Sequence, residues 1–184
     1  VQIGTQCWFK ENLNVGTRID GANNQTNNGT IEKYCYDDNP TNCTIYGGLY
    51  QWNEIMQYTG THGLRGICPT GWHVPTDTEW TVLIDYLGGK FVAGDKMKET
   101  GTAHWIPPNS YATNESGFTG LPSGACRWSQ WQDFANMSVY AYWWSSTDTS
   151  EVYAWTRKIP QSDGYAFRSH GDKDYGFSVR CIFD

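Results

Sequence analysis

The sequence predicts an α+β domain, and three observations lead to that prediction. Apolar residues with helical spacing occur in the first hundred residues, and short aromatic segments separated by Gly, Asp, Ser and Pro follow them. Strands and helices do not alternate as they would around a parallel sheet, and the sequence has no internal repeat. No Pro/Ser-rich linker interrupts the 184 residues, so we expect a single domain over 1–184.

The clearest predicted helix begins after Thr76. Thr76 and Glu79 have the spacing of a capping box, in which each side chain accepts a hydrogen bond from the backbone amide of the other residue. Gly88 suits the left-handed conformation that ends many helices. The apolar stripe between them consists of Trp80, Leu83, Ile84 and Leu87. We expect two further helices, over 48–59 and over about 92–99.

The remaining segments predict strands, turns and loops. A strand pair is expected to start in 1–14, and the Asn/Gly/Thr-rich segment 16–30 is expected to be a loop. Later strands are expected in YAYWWSS, VYAWTRKI, YAFRS and FSVRCIF. An Asn-Pro dipeptide between Cys35 and Cys43 predicts a turn, which we expect a Cys35–Cys43 disulfide to close.

The composition excludes several classes of function. Only 17% of the residues are charged, whereas the chain contains 10 Trp, 12 Tyr and 7 Phe. The net charge of −6 argues against a nucleic-acid partner, which favours a basic face. No apolar run approaches the roughly 20 residues of a membrane-spanning helix. We therefore expect neither nucleic-acid binding nor a membrane span.

The six cysteines indicate disulfides rather than a metal site. They are even in number, spread along the chain, and contain no CxxC pair. A zinc site needs closely spaced Cys or His ligands, which this pattern does not provide. Because disulfides persist in oxidising compartments, we expect a secreted or cell-surface protein.

Several long motifs carry a resemblance to a known family. They are QCWFKENLNVGT, YGGLYQWNE, GICPTGWHVPTDTEW, SGFTGLPSG, YWWSST and YGFSVRC. Together they resemble the Fibrobacter succinogenes major paralogous domain, a family of Bacteroidota-type bacteria and their relatives, often secreted or on the outer surface. That family in turn resembles the C-type lectin-like fold of formylglycine-generating enzymes and retroelement-diversified receptors.

The resemblance implies a fold and a set of cysteine pairs. The fold has two main helices, a small antiparallel sheet that joins the two termini, and long irregular loops. Cys68 precedes the GWHVP strand and Cys181 ends the last strand, and these elements lie near each other in that fold. We therefore expect Cys68–Cys181, which leaves Cys7–Cys126 as the third pair.

We expect no catalytic activity. Formylglycine-generating enzymes depend on a reactive cysteine pair near the C-terminal region, and no pair here matches it. Glu79 is interpreted as a capping residue and His73 as a hydrogen-bonded structural residue of a core strand. No Ser/His/Asp arrangement, nucleophile elbow or phosphate-binding loop occurs.

A calcium-dependent sugar site is not supported, and we expect no cofactor. The triplets that bind Ca²⁺ in lectins have only displaced counterparts, Asn39-Pro40 and Trp52-Asn53-Glu54. Two acidic pairs, Asp37 with Asp38 and Asp172 with Asp174, offer oxygen ligands for Ca²⁺. We interpret both pairs as solvated turn residues.

An aromatic-rich C-terminal region is the candidate binding face. In the related family the stretches around 126–142 and 161–175 are variable and richer in Asn and Gly, whereas here they carry rings among Ser, Gln and Asp. Large rings with few rotatable bonds suit protein contact or stacking on sugars. The candidate ligand-binding residues are Trp128, Trp131, Tyr140, Tyr142, Tyr165, Phe167, His170 and Tyr175. Trp143, Trp144 and Trp155 lie in shared motifs and are assigned to the core.

These observations lead to one functional hypothesis and two alternatives. The hypothesis is an extracellular recognition or adhesion module that binds a protein or glycan ligand at a surface through this face. The first alternative is a structural subunit of a bacterial surface layer or filament, which would bind copies of itself. The second is an enzyme of the formylglycine-generating type.

Overall fold

The computed structural model describes residues 1–59, 63–126 and 134–184, and it combines short helices with small sheets. The helices are α1 (Pro40–Tyr46), α2 (Trp52–Ile55), α3 (Asp77–Tyr86) and α4 (Ala93–Met97). A short 3-10 turn, Tyr36–Asp38, precedes α1. The α+β class predicted from the sequence is confirmed by this combination of helices and sheets.

Eleven strands occur in the described ranges, and most contain two residues. They are β1 (Gln2–Ile3), β2 (Gln6–Cys7), β3 (Thr17–Arg18), β4 (Glu32–Lys33), β5 (Trp72–His73), β6 (Ala125–Cys126), β7 (Phe134–Ala135), β8 (Tyr140–Asp148), β9 (Tyr153–Pro160), β10 (Phe167–Asp172) and β11 (Ile182–Phe183). The longest three form an antiparallel sheet in the order β10-β9-β8. The pairs β1-β2, β5-β11 and β6-β7 are antiparallel, and β3-β4 is parallel.

The three-stranded sheet lies between two hydrophobic clusters. Successive side chains of a strand point to opposite faces, so the adjacent Trp143 and Trp144 of β8 enter different clusters. Trp143 packs with Trp80 and other residues of α3, whereas Trp144 packs with Trp52 of α2. Both tryptophans are fully buried. The motif that supplies them thus fixes the sheet between the helices.

The predicted capping box starts α3. The Thr76 hydroxyl accepts from the Glu79 amide at 3.2 Å, and the Glu79 carboxylate accepts from the Thr76 amide at 2.7 Å. Trp80, Leu83 and Ile84 form the buried face of the helix. The predicted helix near 92–99 is also present, as the shorter α4.

The two ends of the chain lie side by side. Trp8 forms a bridge with Ile182, and the amides of Phe9 and Leu13 donate to the carbonyls of Cys181 and Val179 at 3.0 and 2.9 Å. These bonds join the segment after β2 to the segment before β11. The sheets themselves pair β1 with β2 and β11 with β5, so the two ends are joined by these hydrogen bonds and the Trp8–Ile182 bridge.

Two of the three expected disulfides are present and one is not. Cys35–Cys43 and Cys68–Cys181 are bonded. The Cys7–Cys126 prediction is wrong, because neither residue takes part in a disulfide. Cys7 lies in the N-terminal hairpin, whereas Cys126 packs in a separate small cluster with Tyr34 and Leu49.

Two local predictions also need correction. The segment between Cys35 and Cys43 is not a simple turn, because Asn39 caps α1 by accepting from the Thr41 amide at 3.0 Å and Pro40 is its first helical residue. The expected helix over 48–59 is limited to α2. Tyr50, just before it, instead bridges to Phe177.

Membrane spanning by a helix finds no support in the described ranges. No helix there has both the length and the apolar character needed to cross a bilayer.

Candidate functional site

The sheet places several of the predicted rings in one row. Lys158 of β9 pairs with Tyr142 of β8 on one side and with Phe167 of β10 on the other. Residues in register share a face, and so do residues two positions apart, which places Tyr140 on that face as well. Strand alternation thus brings a lysine between rings from both neighbouring strands.

Lys158 lies against two aromatic rings. Its ammonium nitrogen is 4.8 Å from the ring centroid of Phe167 and 5.1 Å from that of Tyr140. Both distances are within the range of a cation–π interaction. Lys158 is partly exposed, so a ligand can reach its ammonium group while that group remains in contact with the rings.

The row continues from β10 to the loop between α3 and α4. Tyr165 packs on Phe167 with ring centroids 4.0 Å apart, and Phe91 packs edge-on against Tyr165 at 5.1 Å. The Ala166 amide donates to the Lys90 carbonyl at 2.7 Å and ties the loop to the start of β10. Phe91 is 69% exposed. A second lysine, Lys90, lies over the rings of Phe91 and Tyr165 at 5.1 and 5.7 Å.

Tyr175 completes this surface. A small hollow of about 50 Å³ separates it from Lys158, and Thr156 and Ser169 also line that hollow. Burial raises the pKa of the Tyr175 hydroxyl above its ordinary value, as do the charges of Asp172 and Tyr153. We call the surface the aromatic–lysine face; its members are Lys90, Phe91, Tyr140, Lys158, Tyr165, Phe167 and Tyr175.

The two lysines of the aromatic–lysine face have no carboxylate partner among the described residues. Eleven other cationic or acidic groups in the same ranges form ion pairs with distances of 3.5 Å or less, such as Lys96 with Glu115 and Lys173 with Asp148. The nearby Asp163 carboxylate accepts from the Tyr165 amide and from the Ser162 hydroxyl. The positive charge of the face is therefore not neutralised by the ion pairs of the described chain.

The structure does not bring all the predicted ligand-binding residues together. Tyr140, Tyr165, Phe167 and Tyr175 lie on the aromatic–lysine face and are partly exposed. Trp128 and Trp131 lie outside the described residues. Tyr142 and His170 do not fit the prediction, for two different reasons.

Tyr142 is only 3% exposed and is a core residue, because its ring stacks on Phe177 at 5.0 Å beneath the face. His170 is exposed but lies on the other side of the sheet, since it pairs with Trp155. Its ring contacts those of Tyr153 and Trp155 at 5.2 and 6.4 Å. Both residues also line the hollow beside Lys158, but Tyr142 lies at its buried base and the His170 ring packs against Tyr153 and Trp155.

The opposite side of the sheet is occupied by an ion-pair network. Asp77 at the start of α3 accepts from the buried Arg157 at 2.6 Å and from Arg168 at 2.8 Å, and Arg168 stacks on Trp155. Burial raises the pKa of Asp77, but the hydrogen bonds from Arg168 and Arg157 outweigh it and hold that pKa below its usual value. The charged side chains on this side of the sheet therefore pair with one another and stabilise the fold.

His73 and Glu79 have the expected structural roles. The two His73 ring nitrogens lie 2.9 Å from a Glu79 carboxylate oxygen and 2.7 Å from an Asp184 oxygen. The hydrogen bond to Glu79 raises the pKa of His73; burial opposes this, and Asp184 adds to it. The histidine thus connects the cap of α3 to the last residue of the chain.

The acidic pairs do not form a metal site in the described ranges. No group of three or more His, Cys, Asp or Glu residues there could hold a metal ion. Asp38 accepts from Arg18 and the Gly21 amide, and Asp172 accepts from the Asp174 amide. Asn39 caps α1, and Glu54 is buried in α2, where it accepts from Tyr58 at 2.8 Å.

Sequence reasoning missed three members of the face: Lys90, Phe91 and Lys158. Alternation along VYAWTRKI gives a usable signal for Lys158, because it falls opposite to the rings of Tyr153 and Trp155. Lys90 and Phe91 carry no local signal. They reach Tyr165 only because the loop between α3 and α4 packs against the start of β10.

Comparison with known proteins identifies the family but no individual relative. No curated protein and no solved structure matches the chain. The family model of the Fibrobacter succinogenes major domain matches residues 1–182, nearly the whole sequence. The chain therefore belongs to the Fibrobacter succinogenes major domain family.

Proposed function

We propose that the chain is an extracellular recognition module that binds a ligand through the aromatic–lysine face. The observation that carries the proposal is the continuity of partly exposed rings from Phe91 through Tyr165 and Phe167 to Tyr140, with Lys158 between the last two. Contiguous exposed aromatic surface favours a binding role. Rigid rings contribute contact area at low entropic cost.

The proposal includes the C-type lectin-like fold and an extracellular location. Support for the fold comes from the hydrogen bonds between the segments around Phe9 and Cys181 and from the long irregular stretch 98–124 between α4 and β6. Support for the location comes from the two disulfides, which favour an oxidising compartment.

An array of glycans and proteins, probed with two matched variants, tests the proposed function. Phe91→Ala removes an exposed ring of the face, and Phe183→Ala removes another exposed ring, 54% exposed on β11. If the face binds the ligand, Phe91→Ala weakens affinity by about 2 kcal/mol, the cost typical of an interface hot spot, with little change in melting temperature. Phe183→Ala leaves affinity unchanged.

Two results would contradict this function. An array ligand that binds wild type and Phe91→Ala equally would show that the face is not the binding surface. Concentration-dependent polymers in size-exclusion chromatography, lost in Phe91→Ala, would instead favour the surface-layer or filament subunit. Turnover of a thiol-containing substrate by the purified chain would favour the enzyme.

A further inference from the structure

The ligand chemistry can be narrowed further, on the basis of the proposed function, by the charges within the aromatic–lysine face. We propose that the face binds an anionic polysaccharide, one whose sugar rings carry carboxylate or sulfate groups. Three features support this proposal: the position of Lys158, the lack of an ion pair at either lysine within the described ranges, and the arrangement of the rings.

The position of Lys158 disfavours a protein partner. Lysine is depleted from the centres of protein–protein interfaces, which are apolar and fully desolvated. Lys158 nevertheless lies in the middle of the face, with Phe167 at 4.8 Å and Tyr140 at 5.1 Å on its two sides. A hydrated, negatively charged ligand would accept hydrogen bonds from this ammonium group and keep it partly solvated.

The missing counter-charge indicates an anion. Neither Lys90 nor Lys158 forms an ion pair within the described ranges, although the whole chain has a net charge of −6 and acidic residues outnumber basic ones by 19 to 13. Judged on the described residues, Lys90 and Lys158 thus form a local positive site on a protein of net negative charge. The net negative charge of the chain would repel anions that do not reach the two lysines.

The arrangement of the rings suits a chain of sugars. Phe91, Tyr165 and Phe167 follow one another with centroid distances of 5.1 and 4.0 Å, so each ring is partly covered by its neighbour. The exposed edges and faces of these rings therefore follow one another in a row along the surface. The C–H groups of sugar rings would pack against the electron-rich aromatic faces, while the acidic substituents would reach Lys90 and Lys158.

Two pairs of polymers separate charge from sugar recognition. The first pair is polygalacturonate and its carboxyl-reduced form; the second is dextran sulfate and dextran. Affinity electrophoresis or calorimetry with the purified chain is expected to show binding at least about tenfold tighter for one or both anionic polymers than for its neutral partner. The better polymer identifies carboxylate or sulfate as the preferred group, and binding weakens as salt increases.

Charge variants test the residues. Lys158→Met keeps the length of the side chain and should weaken anionic binding at least about tenfold, which corresponds to about 1.4 kcal/mol. Lys10→Met, at an exposed lysine away from the face, should have no effect. Asp163→Asn, beside Tyr165, should strengthen binding because it removes a negative charge.

The possible failures distinguish this inference from the proposed function. Equal binding of neutral and anionic forms, with affinity still lost in Phe91→Ala, overturns the charge inference and leaves the recognition function in place. Binding of a protein ligand alone at the face would likewise overturn the inference of an anionic polysaccharide and leave the recognition function in place. Anionic binding that is unaffected by both Lys158→Met and Phe91→Ala overturns both.

Discussion

Among the described residues, three cationic side chains have at most 1% of their surface exposed: Lys98, Arg157 and Arg180. Arg157 is paired directly with Asp77, whereas Arg180 donates to Asn12 and to backbone carbonyls. Burial lowers the pKa of Arg180 to about 9. Lys98 donates to the Asp163 carbonyl at 2.9 Å. Interior charges are thus held by specific acceptors, unlike the lysines of the aromatic–lysine face.

The pairing of Arg157 predicts a large effect of Asp77→Asn. This change leaves the buried guanidinium without its carboxylate, and breaking a buried pair costs about 3–5 kcal/mol. Urea denaturation measures the loss in the free energy of unfolding. Asp85→Asn, at an exposed position of the same helix, should change that free energy by no more than about 0.5 kcal/mol. Equal effects of the two variants would refute the structural role of Asp77.

The contacts of His73 predict a pH dependence of stability. Glu79 raises the folded-state pKa of His73 above the unfolded value. The stabilisation is therefore fully present below the unfolded pKa of about 6.5 and is lost as pH rises through the raised folded pKa. Denaturation at a series of pH values should show this decline in wild type and in His170→Gln, an exposed control, but not in His73→Gln. A decline that persists in His73→Gln would exclude His73 as its source.

Among the secondary-structure elements, local sequence signals predict α3 but do not determine whether α1 is a helix or a turn. The α3 signal combines a capping box with an apolar stripe over adjacent turns. Asn39-Pro40 is compatible both with a turn and with a helix start, and the sequence alone does not choose between them. The choice depends on burial of Cys43 and Tyr46 against distant parts of the chain. Elements whose stability comes from long-range packing are the ones that a local pattern misses.

The α3 cap predicts the effect of Thr76→Ala. Removing the hydroxyl leaves the Glu79 amide without its acceptor, which should cost about 1 kcal/mol in the free energy of unfolding. Thr78→Ala, at an exposed position within the same helix, serves as the control. Ligand affinity should be unchanged in both variants. Lost binding with unchanged stability would assign Thr76 to function instead.

At the scale of the whole molecule, two disulfides close loops of very different length. Cys68 and Cys181 are 113 residues apart, whereas Cys35 and Cys43 are 8 apart. In the chain-entropy model, these loops stabilise the fold by about 4–5 and about 2–3 kcal/mol, respectively. Replacing each pair by alanines should reproduce that order in chemical denaturation.

Peptide mapping without reduction should recover Cys35 linked to Cys43; any other partner would reject the pairing.

The aromatic–lysine face is a property of the whole molecule, which explains why the sequence predicted only part of it. Tyr165 and Phe167 stand close together in a ring-rich segment and were identifiable locally. Phe91 is more than seventy positions away, and only the fold brings it to Tyr165. Tyr142 and His170 belong to equally ring-rich segments but are not members of the face. Tyr142 is buried against Phe177, and the His170 side chain lies on the opposite side of the sheet.

Hydrogen–deuterium exchange of the chain with and without its array-selected ligand shows directly whether the ligand binds at the aromatic–lysine face. If the aromatic–lysine face is the recognition surface, the ligand should slow exchange in 88–92, 138–142, 156–160, 164–169 and 173–177, with little change elsewhere in the described ranges. A cavity of about 290 Å³, lined by Lys10, Thr44 and Arg180 among others, provides the internal comparison. Protection of 10–14 and 43–47, with none at 88–92 or 164–169, would show that the ligand binds at this cavity and not at the aromatic–lysine face.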